Sequence, residues 1–415
     1  MKKLFLDNEV FMPKKKVKKW RRFRHRVVTK LAYCVLYPYM RCKYHVRIER
    51  FKQQGKRQYF ILFNHQTGID QFIVGCSFKG PLYYVASEDI FSNGFISRLL
   101  QWAVAPIPIK KQATDSRAVL NCLRIRKEGG SIAVAPEGNR TYSGKTEYIK
   151  PAIVALCRAL KLPLLLYRIE GGYGVQPRWS DVVRKGKMRA YVAKVVEVEE
   201  YQKLSDDELF SLIAETLYVN EGVADAEFKS KRLAEYIERA IYVCPDCGLA
   251  KFESDKDLVA CTKCGRTAKY LPTKELQGVG KEFPFRFMTE WYDYQRDFIN
   301  SLDVAAYGEN SLFTDMVSLF EVILYDKKHL VEDNVEISLT GKGIYVKGKE
   351  ATLAFPFEEI SAVTVLGKNK LNVYYGGKVY QMKGDQRFNA LKYVQIYHRD
   401  KNVRKGEEDG KFLGL

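Results

Sequence analysis

Between Tyr59 and Val198 short apolar runs alternate with stretches of helical length, and this alternation limits the chain to one class of architecture. "YFILF" is followed by "QFIVGCSF", and "LYYVA" by "NGFISRLLQWAV". "IPI" precedes a helix that Thr114 or Asp115 opens, "SRAVLNCLRIRKE" continues, and Gly129 and Gly130 close. "SIAVA" precedes "PAIVALCRAL", with Pro151 in the first turn, where its missing N–H costs nothing. "LPLLLYRI" and "RAYVAKVVEV" complete the strands, and "SDDELFSLIAETLYV" reads as a capped helix that ends the unit. Strands alternating with helices predict an α/β fold, a mostly parallel sheet with flanking helices.

Open sheets of this kind build their sites where strands end. "LFNHQTGIDQF", Leu62 to Phe72, joins a buried strand (Gln58 to Phe63) to a helix (Gln71 to Phe78), so His65 and Asp70 stand on the turn. A second loop, "VAPEGNRTYSGK", Val134 to Lys145, also follows an apolar strand and should emerge at the same edge. Its Glu137, Gly138 and Arg140 form an anion-binding group: a guanidinium grips phosphate through two parallel hydrogen bonds, and glycine lets the backbone approach. Alone, His-x4-Asp is commonly a plain turn and a Glu/Arg pair a surface ion pair. Together at one sheet edge they define a candidate site.

These residues also carry a resemblance. "NHQTGID", from Asn64 to Asp70, resembles the NH-x4-D motif of the glycerolipid acyltransferases, the family of 1-acylglycerol-3-phosphate acyltransferase. "PEGNRTYSG" resembles that family's E-G-T-R motif, with Asn139 where threonine is usual. "APIPIKK" resembles a motif that commonly reads G-x-I-F-I-x-R, with Ala105 for the glycine and Lys111 for the arginine. "LPLLLYRI" resembles the family's proline-containing strand. The resemblance covers Val27 to Val198, about 40% of the chain. It implies transfer of a fatty acyl group from a thioester donor, acyl-CoA or acyl carrier protein, to the free hydroxyl of a lysophospholipid. The first acceptor to expect is 1-acylglycerol 3-phosphate, giving phosphatidic acid; the alternatives are glycerol 3-phosphate and other lyso-lipids. It implies His65 and Asp70 as catalytic residues, substrate binding by Asn64, Lys111, Glu137, Gly138 and Arg140, and no cofactor for catalysis.

Elementary chemistry is consistent with those roles. An alcohol attacking a thioester must lose its proton, and a neutral imidazole takes it near pH 7. Asp70 can accept the other ring N–H and fix the tautomer. The acceptor hydroxyl is itself the nucleophile, so no reactive serine or cysteine is required. Arg140, with Lys111, would hold the acceptor phosphate and position that hydroxyl. Lysine does so as a point charge, without the bidentate fork.

The formal net charge of +20 favours an anionic partner. Much of it lies in "KKKVKKWRRFRHRVVTK", Lys14 to Lys30, which has no acid. Trp20, Phe23, Val27, Leu31 and Val35 recur at spacings of three and four and share one helical face, with Arg21, Arg22, Arg26 and Lys30 on the others. That pattern predicts a segment lying in an anionic membrane surface. The following "LAYCVLYPYM" is uncharged but short of the roughly 20 residues a span needs. The expectation is a peripheral protein on the cytoplasmic face of the cell membrane. The N-terminus does not resemble a signal peptide, because its basic region is too long and lies behind Asp7 and Glu9.

Of nine cysteines, four form "CPDCGLAKFESDKDLVACTKCG". Two C-x2-C pairs, Cys244/Cys247 and Cys261/Cys264, each followed by glycine, have the spacing of a zinc ribbon holding a closed, structural Zn²⁺. Cys34, Cys42, Cys76, Cys122 and Cys157 show no paired spacing and read as reduced thiols. From Val335 to Met382 short strands with glycine turns are followed by the helix "RFNALKYVQIYHRDK", resembling at the level of topology a pleckstrin-homology-like or GRAM-like domain. The predicted order is a membrane-interface segment (1–45), an acyltransferase domain (46–225), a linker helix and zinc ribbon (226–280), a helical connector (281–330) and a β-rich domain (331–415). A nucleic-acid-binding protein would explain the charge and the ribbon. It leaves His65, Asp70, Glu137, Arg140 and the apolar stripe without a use, so nucleic acid is not the expected partner.

Overall fold

The computed structural model describes residues 19–92, 94–109, 116–323, 327–350, 352–407 and 413–414. Helix α1 (Phe23–Lys43) leads into β1 (Val46–Ile48) and β2 (Phe60–Phe63). There follow α2 (Asp70–Ser77), β3 (Leu82–Ser87), α3 (Phe95–Ala103), β4 (Ile107–Ile109), α4 (Ser116–Lys127), β5 (Ser131–Val134), α5 (Ala152–Leu160) and β6 (Leu164–Glu170). The single turn α6 (Gly172–Val175), β7 (Met188–Val196), the single turn α7 (Val198–Tyr201) and α8 (Asp206–Leu217) complete the unit. Its strands form one sheet in the order β1-β7-β6-β2-β5-β3-β4. Every pairing is parallel except that of β6 with β7, so the expected mostly parallel α/β sheet is present.

Strand β2 lies mid-sheet, which is why its sequence is apolar throughout. Ile61 and Phe63 face one core, with Ile73, Leu165 and Tyr167. Phe60 and Leu62 face the other, with Ile132, Cys157 and Leu166. The chain leaves β2 toward β3 on one side and leaves β5 toward β6 on the other. Where those connections diverge, with Leu62 beside Val134, a crevice opens at the strand ends.

Helix α1 carries the basic segment. Phe23, Val27, Leu31 and Val35 are exposed along it, as the stripe requires, with Phe23 at 78%. Trp20 departs from the expectation: it precedes the helix and packs inward, its indole N–H donating to Ala105 O at 2.9 Å. Helix α3 lies beside α1, with Arg24 of α1 donating to Trp102 O, and exposes Phe95, Ile96, Leu99 and Trp102. Among the described residues no helix is long and apolar enough to cross a membrane.

The ribbon consists of the pair β8 (Val243–Cys244) and β9 (Gly248–Leu249), then an antiparallel sheet of β10 (Phe252–Asp255), β11 (Leu258–Cys261), β12 (Thr267–Tyr270) and β13 (Leu276–Val279). In place of the linker helix expected ahead of the ribbon there is only a 3-10 turn, Ile237–Arg239. Tyr236 adopts a left-handed φ of 67° there, and its N–H is taken by Ser254 Oγ. Helix α9 (Met288–Ser301) follows.

The β-rich domain holds β14 (Ser311–Val322), β15 (Lys328–Thr340), β16 (Gly343–Lys347), β17 (Thr352–Pro356), β18 (Ala362–Leu366), β19 (Lys370–Tyr375) and β20 (Lys378–Gly384), closed by α10 (Leu391–Arg404). All pairings are antiparallel, and the first strand, β14, pairs with the last, β20. Strand β14 occupies part of the stretch read as helical connector. Its pairing shifts register between Val317 and Leu319, which breaks the two-residue alternation that would have marked it as a strand. One continuous core links Tyr142, Tyr173 and Trp179 of the first unit with Phe252 and Tyr270 of the ribbon, Trp291 of α9, and Ile337 and Tyr393 of the β-rich domain.

Candidate active site

The turn after β2 is pinned from both sides. Asn64 is buried, and its amide exchanges two hydrogen bonds with the backbone of Ile169 at the end of β6, at 2.8 and 2.7 Å. His65 follows, with its side chain 22% exposed. Its Nδ1 lies 2.8 Å from Asp70 Oδ2. Asp70 is fully buried as the first residue of α2, where a helix N-terminus favours a negative charge. The same Oδ2 accepts from the backbone amides of Gln66 and Thr67 at 2.7 and 2.9 Å, and Oδ1 accepts from the Thr67 hydroxyl. A carboxylate so held fixes the ring with Nδ1–H toward it. Nε2 then carries the lone pair and has no hydrogen-bond partner among the described residues.

The loop after β5 is tied directly to that turn. Glu137 Oε1 accepts from the His65 amide and Oε2 from the Glu147 amide, each at 2.7 Å, while Thr141 N–H donates to His65 O at 3.0 Å. Burial pushes the Glu137 carboxyl well above the usual range, against the pull of those two amides. Gly138 has a φ of +71° and open space around a would-be Cβ, so it is needed for its conformation and not for packing. Arg140 is half-buried, and a Cβ built on Gly68 would lie 3.5 Å from its Nη1, which places the guanidinium over the His65–Asp70 turn. Its side chain has no hydrogen-bond or carboxylate partner among the described residues. Burial, reinforced by neighbouring Arg178, lowers its pKa to about 10.

The structure therefore brings His65, Asp70, Gly138 and Arg140 together. It shows Asn64 and Glu137, expected as substrate contacts, with their polar atoms committed to backbone; they position the two loops. Lys111 lies outside the described residues. Arg178 was missed by the sequence reading. Buried behind Arg140, it donates to Arg140 O at 2.9 Å and stacks on Tyr142 at 4.2 Å. It stands in the irregular segment after α6, and no spacing in "QPRWS" marks it out.

The four ribbon cysteines converge as expected. Their sulfurs lie within 4.8 Å of one another, Cys244 to Cys264 at 3.5 Å and Cys247 to Cys261 at 3.6 Å. Four sulfurs about 2.3 Å from a central tetrahedral ion would be about 3.8 Å apart, so the donor set fits one metal ion. Gly248 and Gly265 follow the pairs with φ of +71° and +76°, the conformation a tight knuckle needs. Of the remaining thiols, Cys76, Cys122 and Cys157 are buried, and Cys34 and Cys42 are exposed.

The α/β sheet thus carries, where its connections diverge, a His–Asp pair and an arginine with no carboxylate partner among the described residues. Residues 43–169 match the family model described as Acyltransferase. The chloroplastic 1-acyl-sn-glycerol-3-phosphate acyltransferase LPAT1 of Arabidopsis thaliana is 23% identical over 210 residues, which are 48% of this chain and 55% of that protein. The chain thus spans about half the length of that curated relative. Among solved structures, the 1-acyl-sn-glycerophosphate acyltransferase PlsC of Thermotoga maritima aligns at 19% identity with a TM-score of 0.35, over 46% of this chain and 75% of its own. The likeness to glycerolipid acyltransferases thus lies in this domain.

Proposed function

We propose that this protein transfers a fatty acyl group from a thioester, acyl-CoA or acyl carrier protein, to the free hydroxyl of a lysophospholipid, with 1-acylglycerol 3-phosphate as the first acceptor. The observation that carries the reading is the His65–Asp70 pair, its Nε2 unpartnered among the described residues, beneath an arginine that pairs with no carboxylate among them. Arg140 binds the acceptor phosphate, and that anchoring brings the hydroxyl to Nε2. Nε2 takes the hydroxyl proton as the oxygen attacks the thioester carbonyl carbon. Asp70 stabilises the imidazolium that forms. When the tetrahedral intermediate collapses, the new ester C–O bond remains, the C–S bond breaks, and the imidazolium returns its proton to the departing thiolate.

The enzyme works at an anionic membrane surface on the cytoplasmic side, as a peripheral protein. The exposed apolar stripe of α1 with its flanking arginines, and the apolar residues of α3 beside it, support this placement. The four-cysteine site holds Zn²⁺, which is structural: four thiolates complete a tetrahedral shell and leave no position for substrate.

The test is a panel assay with purified protein and vesicles, crossing acyl-CoA and acyl carrier protein with lysophosphatidate, glycerol 3-phosphate and an uncharged lyso-lipid. Transfer to lysophosphatidate should exceed transfer to the uncharged acceptor. Equal rates with both would remove the phosphate-binding role of Arg140.

A further inference from the structure

The ribbon sends a cation toward the back of the active site. Lys274 stands in the turn between β12 and β13, where its N–H donates to Leu271 O at 2.9 Å. Its φ is +73°, a left-handed conformation that ordinarily selects glycine or asparagine. Its long charged side chain is nevertheless only 2% exposed. Nζ lies 3.3 Å from Glu221 Oε2 and 3.0 Å from Asp225 Oδ1, over the ring of Phe228. A non-glycine residue held there and buried points to a use for the side chain that outweighs backbone ease.

Its partner leads to the catalytic turn. Glu221, also buried, accepts through Oε1 from the Gly171 amide and from Gln66 Nε2, the latter at 3.4 Å, while its own amide donates to Gly144 O at 2.9 Å. Gln66 Oε1 accepts from the amides of Gly172 and Tyr173 at 2.9 and 3.3 Å. A Cβ on Gly172 would stand 2.6 Å from that oxygen, so the glutamine is tightly enclosed. The backbone amide of Gln66 in turn donates to Asp70 Oδ2, the oxygen that holds His65 Nδ1.

We infer that the Lys274–Glu221 pair is a positioning device for His65: the ribbon inserts Lys274 to hold the Glu221 carboxyl in place, Glu221 clamps Gln66, and Gln66 holds Asp70 in the orientation that fixes the imidazole. The ribbon thereby serves the reaction, at a distance from its own metal site. This inference rests on His65 being the base of the proposed transfer.

The test uses full-length protein in three forms: Lys274→Met, Lys274→Met/Glu221→Gln and Lys274→Met/Glu221→Ala. The first leaves a lone buried charge; the second removes both charges but keeps an acceptor for the Gly171 amide; the third severs the link without a lone charge. Acceptor KM and kcat are measured, together with the ¹⁵N spectrum of the histidine rings. With five histidines in the chain, His65→Gln assigns the relevant signal and exposed His329 serves as the control.

The single variant and the glutamate-to-alanine double should lose kcat about tenfold, with acceptor KM within about twofold and the His65 Nδ1–H signal moved. The glutamine double should keep kcat within about threefold of the parent and leave that signal in place. If Lys274→Met does not fold, the two doubles decide the matter by their difference. Wild-type kcat and an unmoved signal in the alanine double would overturn the inference, as would a loss that falls on acceptor KM. If the unaltered protein transfers acyl groups to no acceptor, the proposed function fails, and the ring spectra still decide whether Lys274 and Glu221 orient His65.

Discussion

The backbone amide of His65 donates to Glu137 Oε1 at 2.7 Å, so the turn that carries His65 and the loop that carries Arg140 are clamped by one buried carboxyl group. The other oxygen holds the Glu147 amide. Replacing Glu137 with alanine leaves two buried N–H groups without acceptors, at about 1–3 kcal/mol each. Urea unfolding of Glu137→Ala should show a loss of about 2–6 kcal/mol, with kcat reduced because His65 and Arg140 lose their fixed separation. Unchanged unfolding and kcat would mean that the loops are held in register by other contacts.

Arg140 is expected to act on the acceptor. Arg140→Ala should raise the KM for a phosphate-bearing acceptor at least about tenfold while moving donor KM little, because a charge-assisted bidentate contact is removed from one substrate only. Arg140→Lys should recover part of the loss, the charge being restored without the fork. Equal shifts in both KM values would place the guanidinium elsewhere in the reaction.

Metal analysis of untagged protein should give one Zn²⁺ per chain, and stripping it should cost more than the ribbon. Cys244 and Cys261 belong to the same continuous core as Trp179 and Trp291, so loss of the knuckles loosens packing under the loop after β6. Chelation should therefore lower both the melting temperature and kcat, and zinc should restore them. A metal-free chain with unaltered melting would contradict the four-thiolate assignment.

The apolar stripe of α1 can be altered without touching the core. Deleting the whole segment is a poor test, because buried Met40 and His25, the latter 3.1 Å from Tyr83 Oη, help cover the first unit. Leu31→Glu/Val35→Glu instead changes two exposed positions. Sedimentation with anionic vesicles should fall by about tenfold or more at matched salt, with the melting curve preserved. Binding of the parent protein should also weaken as salt rises, each nearby Lys or Arg contributing about 1 kcal/mol that salt screens. Undiminished binding of the double variant would move the membrane contact away from α1.

Much of the site was legible because it depends on local chemistry. A parallel strand buried on both faces must be largely apolar, and "YFILF" and "IAVA" are, so the strand ends and the residues just beyond them could be located. The cysteine spacing likewise encodes its own geometry. Contacts made over long sequence separations were not legible. Asn64 and Glu137 look like ligand contacts in a motif, but their distant partners, the backbone of Ile169 and of His65, are set only by the folded sheet. Arg178 and Lys274 sit in loops with no periodicity, and their meaning comes from burial. Strand β14 was hidden by a break in its own alternation.

The most direct measurement is the rate of acyl transfer from acyl-CoA or acyl carrier protein to lysophosphatidate by His65→Ala, compared with the parent protein under identical vesicle conditions. With His65 as the general base, the rate should fall by about 10²–10⁴-fold. Melting temperature, zinc content and vesicle binding should be unchanged, since the ring is partly exposed and touches little beyond Asp70. Asp70→Asn should cost less, because that residue orients the base and does not take the proton. A folded His65→Ala protein that transfers acyl groups at near the parental rate would contradict the assignment of His65 as the base.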